Sequence, residues 1–367
     1  MHEALSAPAL ITERINYFLK QKSLELTDLG DDISPLLDET KAFLQGGKRL
    51  RGQFLITGFE SVAPISLSDK QNQTTQALLL AASALEVFHA AALIHDDIID
   101  KSNMRRGRPT VHEIFRTFHR ENDYSGEADH FGLSAALLAG DVLQSWADEL
   151  MNDGLELLSS RQHARSARKI FNTMRSEVAM GQHLDVIEEV RNSFAEHQLQ
   201  LERSTKVLIY KSAKYSVQAP LLLGGAMAGA NEAESAALAD FGLPIGVAFQ
   251  LRDDLLGVFG EEEITGKPSG DDLREGKRTV LVTLAREELP PGPKRVFDDM
   301  HGTSDLDEDQ IKTLQHTIED TGAKQRVEQM IQQNVGLARQ ALHDSNLQQH
   351  AITELLKLAD LATARES

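Results

Sequence analysis

An all-α fold follows from three observations. Alanine, leucine, glutamate, glutamine and lysine fill long stretches, whereas runs of valine, isoleucine and threonine are scarce. Apolar residues recur at three- and four-residue spacing along several segments. No alternating pattern long enough for a strand competes with them.

The periodic segments, in order, start with Leu10–Leu19. Leu78–Ile99 comes next and is apolar on nearly every face, which predicts burial inside a bundle. Leu133–Leu150, Val207–Leu223 and Leu238–Val258 follow, and Gln310–Ala341 closes the series. Turn chemistry separates them at Gly46-Gly47, Ser61–Asn72, Arg106-Gly107-Arg108-Pro109, Glu121–His130, Glu261–Gly276 and Pro290-Pro291-Gly292-Pro293. None of these is biased enough to be an interdomain linker. One domain over residues 1–367 is expected, with a motif-bearing core at 40–285 and C-terminal helices at 294–367 packed on it.

Composition narrows the function. Against 38 lysines and arginines stand 56 aspartates and glutamates, a net charge of −18 over 367 residues. That balance argues against nucleic-acid binding and against docking on anionic lipid. The chain has no cysteine, so disulfides, thiolate nucleophiles, zinc fingers and iron–sulfur clusters are excluded. Any metal must be held by oxygen or histidine. The N-terminus lacks the basic and apolar regions of a signal peptide. The most apolar window, Ala77–Ile94, is interrupted by Ser83, Glu86 and His89 and runs into Asp96 and Asp97, so no stable membrane insertion is expected. The expectation is a soluble, cytoplasmic protein.

The informative segment is Glu86-Val-Phe-His89-Ala-Ala-Ala-Leu-Ile-His95-Asp96-Asp97-Ile-Ile-Asp100. At about 100° per residue, Glu86, His89, Asp96, Asp97 and Asp100 share an arc of roughly 100°, and His95 faces the other way. Carboxylates gathered on an otherwise apolar helix repel one another unless a cation sits among them. Oxygen ligands without thiolate favour magnesium or manganese, ions that complete their shells with water and phosphate. The plainer alternative is an acidic helix end in solvent. Neighbouring basic groups argue against it: Gly46-Gly47-Lys48-Arg49-Leu-Arg51 upstream, and Arg105-Arg106-Gly-Arg108 downstream. Arginine forks and amides freed by glycine both suit phosphate oxygens.

A second acidic group, Gln250-Leu-Arg252-Asp253-Asp254, puts Gln250, Asp253 and Asp254 on one helix face. The glycine-rich segment Gly266-Lys267-Pro-Ser-Gly-Asp271-Asp272-Leu-Arg-Glu-Gly-Lys277 follows it. Gly181-Gln182-His183-Leu-Asp185 and Tyr210-Lys211-Ser212-Ala-Lys214-Tyr215 lie between the two clusters. Alone, Lys211 and Lys214 read as surface charge. Beside two aspartate helices they read as diphosphate ligands.

In this order, GGKRLR, EVFHAAALIHDDIID, RRGRPTVH, GQHLD, KSAKY, FQLRDD and TGKPSGDDLREGK, the motifs resemble those of the trans-isoprenyl (polyprenyl) diphosphate synthases, most closely the bacterial geranylgeranyl diphosphate synthases. The resemblance implies an all-α, isoprenoid-synthase-like bundle of antiparallel helices around a central cavity, assembled as a homodimer. It implies condensation of isopentenyl diphosphate onto an allylic diphosphate (dimethylallyl, geranyl or farnesyl). Ionisation, attack by the double bond and loss of a proton to the departing diphosphate complete the cycle.

Carried over position by position, the resemblance gives Asp96, Asp100 and Asp253 as magnesium ligands, with manganese as an alternative. Arg105, Lys211, Gln250 and Lys267 hold the allylic diphosphate; Lys48, Arg51, His89 and Arg106 hold isopentenyl diphosphate. Lys277 and Ser212, the latter where threonine is usual, join the substrate-binding set. Asp97, Asp254, Gln182 and Asp185 stand behind the metal ligands, and Lys211, Arg105, Asp96 and Asp100 carry the catalytic load. Two departures stand out. Gly52-Gln53 replaces a common proline after Arg51, and Gly257 replaces a third aspartate, so a water or a different acid is expected to complete the outer shell.

Helix geometry places Ala92 one turn before Asp96 and Phe88 one turn deeper. Ala91 and Ala92 are expected to open the tail cavity and Phe88 to floor it, giving a twenty-carbon product; plain core packing is the alternative for Phe88. Farnesyl or longer-chain synthesis is the nearest alternative activity. A metal-dependent phosphohydrolase and a non-catalytic subunit of a heteromeric synthase fit less well, because neither accounts for both basic groups and both intact aspartate clusters.

Overall fold

In the computed structural model, which describes residues 6–191, 197–261, 268–303 and 305–364, helices dominate the chain. The first, α1 (Ala7–Glu25), is followed by α2 (Ser34–Phe43) and α3 (Leu50–Glu60). The long apolar segment forms α4 (Gln73–Ile99). Its start is fixed by Asn72, whose side chain accepts from the backbone N–H groups of Thr74 and Thr75. Only one helix among the described residues is long and apolar enough to cross a membrane, and it is this one, with 78% of its apolar window buried inside the fold.

After α4 the chain makes a two-residue hairpin, β1 (Met104–Arg105) against β2 (Arg108–Pro109). Its turn, Arg106-Gly107, has both φ angles positive (53° and 72°), the geometry that matches strand twist. Then come α5 (Val111–Glu121), α6 (Ala128–Glu156), α7 (Arg161–Val190) and α8 (His197–Val207). A π-helix, Leu208–Gln218, runs on into α9 (Ala219–Ala228). Asn231 and Glu234 form a capping box that starts α10 (Glu232–Phe259). The remaining elements are α11 (Asp271–Glu275), α12 (Val280–Glu288), α13 (Pro291–Met300), α14 (Glu308–Asp320), α15 (Ala323–His343) and α16 (Gln349–Thr363).

Two apolar clusters hold these helices. One joins Leu78, Leu85 and Ile94 of α4 to Leu143 and Trp146 of α6 and Phe171 of α7. The other joins Phe241, Ile245 and Leu251 of α10 to Leu284 of α12, Ile331 of α15 and Leu355 of α16. Each such side chain contributes about 1.5–3 kcal/mol by leaving water. The π-helix packs against both α7 and α10, so it bridges the two clusters.

Three elements depart from the periodicity. Gln310–Ala341 is two helices, because Gly322 with φ +75° breaks the run between α14 and α15. The thirty residues of α7 are polar enough to escape a search for apolar stretches. Even so, Ala167, Phe171, Met174, Val178 and Gly181 form a buried stripe at 4-3-4-3 spacing that could have revealed it. Val207–Leu223 is helical, but Leu208–Gln218 is wound more widely, at roughly 80° per residue instead of about 100°. In an α-helix Lys214 would stand roughly 60° from Lys211; the wider turn moves it to roughly 120°.

The wide helix lies against bare backbone on both sides. A Cβ on Gly181 of α7 would sit 2.4 Å from the Lys211 nitrogen, and one on Gly246 of α10 would sit 2.3 Å from the Ala213 oxygen. Neither backbone neighbour can rotate away. Gly181→Ala and Gly246→Ala are therefore each expected to cost about 1–3 kcal/mol and lower the melting temperature by roughly 1–4 °C. An unchanged thermal melt would show that the close approach is not needed.

Candidate active site

The carboxylates of α4 meet cations from three other elements. Lys211 of the π-helix places Nζ 3.1 Å from Asp96 Oδ1 and 2.6 Å from Asp185 Oδ2 on α7. Arg105 of the hairpin donates from Nε to Asp97 Oδ1 at 2.6 Å and approaches Asp96 Oδ2 at 3.5 Å. Lys277, just past α11, lies 3.1 Å from Asp100 Oδ2 and 2.6 Å from Glu275. Burial disfavours ionisation of Asp96, but Lys211, Lys277 and Arg105 outweigh it and hold the carboxyl below its ordinary range. Asp100 goes the other way: burial raises it, and neighbouring Asp96 adds to this against the pull of Lys277. Both lysines stay charged despite burial, because carboxylates surround them.

These groups face a cavity of about 860 Å³. Asp96, Arg105, Arg106, Lys211, Ser212 and Lys277 line it, as do Gln182 and Asp185 of α7. From the other side come Gln250, Asp253 and Asp254 of α10, and Lys48, Arg51 and His89 complete the wall. Gln250 donates to Asp254 Oδ1 at 2.8 Å, and burial pushes the Asp254 carboxyl well above its usual range. Asp97 and Asp100 are nearly inaccessible, with side chains 1% and 2% exposed, and stand behind Arg105 and Lys277.

Lys48 and Arg51 are delivered by the turn into α3. Arg49 between them borders the same cavity, but its guanidinium is tied down, donating to the Leu44 carbonyl at 2.5 Å with Glu86 4.0 Å away. Arg51 lies over the Tyr215 ring at 4.4 Å and donates to Ser216 Oγ at 2.8 Å. The Tyr215 hydroxyl is hydrogen-bonded to His89 Nδ1. Burial pushes Tyr215 up to about 12, while burial and the nearby arginines push His89 well down. The phenol therefore donates to Nδ1, leaving a neutral imidazole with its proton on Nε2.

Gly257 leaves a space that another acid occupies. A Cβ there would stand 2.0 Å from Asp272 Oδ2, so the α11 carboxylate lies beside α10 where a third aspartate side chain would begin. The carboxylate that fills this space belongs to Asp272, which lies 3.7 Å from Lys277.

Other positions fall outside the cluster. Lys214 pairs with Glu177 and lies over the Tyr210 ring, and the winding of the π-helix accounts for its absence from the cavity wall among the described residues. Ala92 faces the cavity, whereas Ala91 is fully buried, about 140° around α4 from Asp96. Phe88 lies below the wall, edge-on to Phe171 and Tyr215. His95 packs on α6, its Nε2 3.2 Å from the Leu137 carbonyl. Lys267 lies outside the described residues. Glu275, Tyr215 and Asp272 all carry site contacts that motif spacing did not single out, although each sits inside a quoted motif.

The donor set fits a hard divalent ion. Among the described residues Asp100 Oδ1 is buried without a partner, while Asp96 Oδ1 and Asp100 Oδ2 face only the ammonium groups of Lys211 and Lys277, which stand where a cation would be needed; no three acids or histidines are gathered into a ready-made metal site.

Comparison with known proteins identifies the family. The polyprenyl synthetase family model matches residues 35–318. The chain is 34% identical to a geranylgeranyl diphosphate synthase of Sulfolobus acidocaldarius over 69% of this chain and 67% of that one. It is 35% identical to a geranylfarnesyl diphosphate synthase of Natronomonas pharaonis over 76% and 74%. Among solved structures, the geranylgeranyl pyrophosphate synthase of Corynebacterium glutamicum complexed with isoprenyl diphosphate and magnesium superposes with a TM-score of 0.90 at 36% identity, covering 99% of this chain and 100% of that one.

Two outcomes test the geometry. Gly257→Asp restores a third aspartate but drives its Cβ into Asp272, and is expected to lower turnover by roughly tenfold to a hundredfold in a steady-state assay. Glu189, one turn after Asp185, is pushed up to about 7 by burial, Asp185 and Asp100. Its folded pKa exceeds the unfolded value of 4.5, so the metal-free protein loses stability as pH rises from about 4.5 to 7. Glu189→Gln removes that loss: melting temperatures should favour the variant at pH 8 and converge with the wild type near pH 4.5.

Proposed function

Because the chain belongs to the polyprenyl synthetase family, and so is a trans-prenyltransferase, we propose that it makes geranylgeranyl diphosphate as its main product from isopentenyl diphosphate and shorter allylic primers. The observation that carries the reading is the convergence of Asp96, Asp253 and Asp254 with two groups of cations around one cavity. Two small anions, one held through divalent ions and one directly, account for that division. A single acidic patch would not need it.

Asp96, Asp100 and Asp253 hold the divalent ions, magnesium first and manganese as an alternative, with Asp97, Asp254, Asp185 and Gln182 around them. Bound there, the metal supplies positive charge that stabilises the leaving diphosphate. Lys211, Arg105, Gln250, Lys267 and Lys277 hold the same diphosphate and receive its growing charge in a site shielded from water. Ser212 adds a hydroxyl beside Lys211. Lys48, Arg51 and Arg106 hold isopentenyl diphosphate, joined by the Nε2–H of neutral His89. Tyr215, held protonated, is no base; the proton lost in the last step goes to the released diphosphate.

The tail runs past Ala92 towards the aromatic layer of Phe88, Phe171 and Tyr215, which supports a limit near twenty carbons. A longer product is the second reading, favoured by the likeness to a geranylfarnesyl diphosphate synthase. The enzyme works in the cytoplasm as a homodimer of one-domain subunits. The outward stripe of Leu133, Leu137 and Leu138 on α6, 41–56% exposed, supports pairing of two copies.

Incubation with magnesium, labelled isopentenyl diphosphate and allylic primers of each length tests the activity. Incorporation into a twenty-carbon product is expected, and no incorporation with any primer would refute it. Phe88→Ala should lengthen the product by at least one five-carbon unit on chromatography. An unchanged product ladder removes Phe88 from the floor.

A further inference from the structure

We propose that Glu275 is a positioning residue that draws the Lys277 ammonium away from Asp100, so that the first aspartate cluster stays open to divalent ions. The inference rests on the proposed reading of Asp100 as a metal ligand. It starts from competition for one cation. Lys277 Nζ lies 2.6 Å from Glu275 Oε2, 3.1 Å from Asp100 Oδ2 and 3.7 Å from Asp272 Oδ1. The nearest of these carboxylates is Glu275.

Asp100 has the most to lose from that competition. Its side chain is 2% exposed; among the described residues Oδ1 is buried without a partner, and Oδ2 faces only the Lys277 ammonium, 3.1 Å away. An ammonium centred on Asp100 would occupy the space where a doubly charged ion must approach. Short charge-assisted contacts are strongly distance-dependent, so an acid that holds the ammonium closer to itself weakens the rival pair.

Glu275 is placed to do this because its other oxygen is anchored. Ser102 Oγ donates to Glu275 Oε1 at 2.6 Å. Ser102 follows Asp100 by two residues, and its carbonyl accepts from Thr110 Oγ1 at 2.8 Å. The carboxylate is therefore fixed relative to the end of α4 and to the hairpin carrying Arg105 and Arg106. These contacts tie α11 and Lys277 to the same frame as the aspartates. The motif around Lys277 thus has an internal acid whose partner is the lysine itself.

The test is binding of Mn²⁺ to the full-length protein, followed by electron paramagnetic resonance without substrate, on variants whose thermal melts show them folded. Glu275→Gln keeps an acceptor for Ser102 but loses the charge. It is expected to weaken Mn²⁺ binding by roughly tenfold, the scale of losing one close charge–charge contact. In a Lys277→Met background the same substitution should have no further effect, because the competing ammonium is gone. Loss that persists in that background would mean a general charge effect and would overturn the proposal. So would wild-type affinity in Glu275→Gln when Asp100→Asn binds weakly. Wild-type affinity in Asp100→Asn, or no binding by the wild type, would instead remove the metal-ligand reading on which the proposal stands. Should Glu275→Gln fail to fold, Ser102→Ala, which releases the same carboxylate, carries the test with the same expected direction.

Discussion

The Lys211 ammonium, shared between Asp96 on α4 and Asp185 on α7, joins three elements through one charge. Much of the site depends on contacts of this kind. Carboxylates buried beside one another are costly unless cations offset them, and a lysine buried without anions would discharge. Here each needs the other. The same relation recurs between Arg105 and Asp97, and between Lys277 and the acids of α4 and α11. The outcome is a cavity wall whose charges are already ordered before any diphosphate arrives. Ordered charges stabilise a leaving group without first having to reorient.

Such ordering requires backbones to come close. The π-helix delivers Lys211, Ser212, Tyr215 and Ser216 to the wall because its wider turn brings residues four and five apart to the flanks of Lys211. A wide helix also needs room, and Gly181 and Gly246 provide it on opposite sides. Winding and glycine placement are therefore parts of one arrangement. That arrangement also sends Lys214 outward to Glu177, although the sequence spacing puts both lysines on one α-helical face.

What could be read in advance divides along the same line. Helical periodicity alone located Asp96, Asp97 and Asp100 on a buried helix and Gln250, Asp253 and Asp254 on another, since both depend only on local geometry. Motif order then joined Lys48, Arg51, Arg106 and Lys211 to them. Features that depend on winding or on contacts between distant segments were hidden. The break at Gly322 and the polar helix α7 escaped the apolar count. Ala91 was assigned to the cavity with Ala92, although the turn of α4 separates them by about 100°. The acid beside Gly257 belongs to a segment fifteen residues further on, and only the packing of α11 on α10 brings it there.

Gly257 and Asp272 show why a motif can lose a residue without losing a charge. The second cluster lacks an aspartate at its last position, yet a carboxylate occupies the neighbouring space, supplied from α11. The transfer changes what the charge is attached to. An aspartate on α10 would be placed by that helix alone, whereas Asp272 is placed by α11, five residues before Lys277. Asp272 and Lys277 stand 3.7 Å apart on one short segment, and Lys277 lies 3.1 Å from Asp100, so the carboxylate beside Gly257 and the cation beside the first cluster are set by the same stretch of chain.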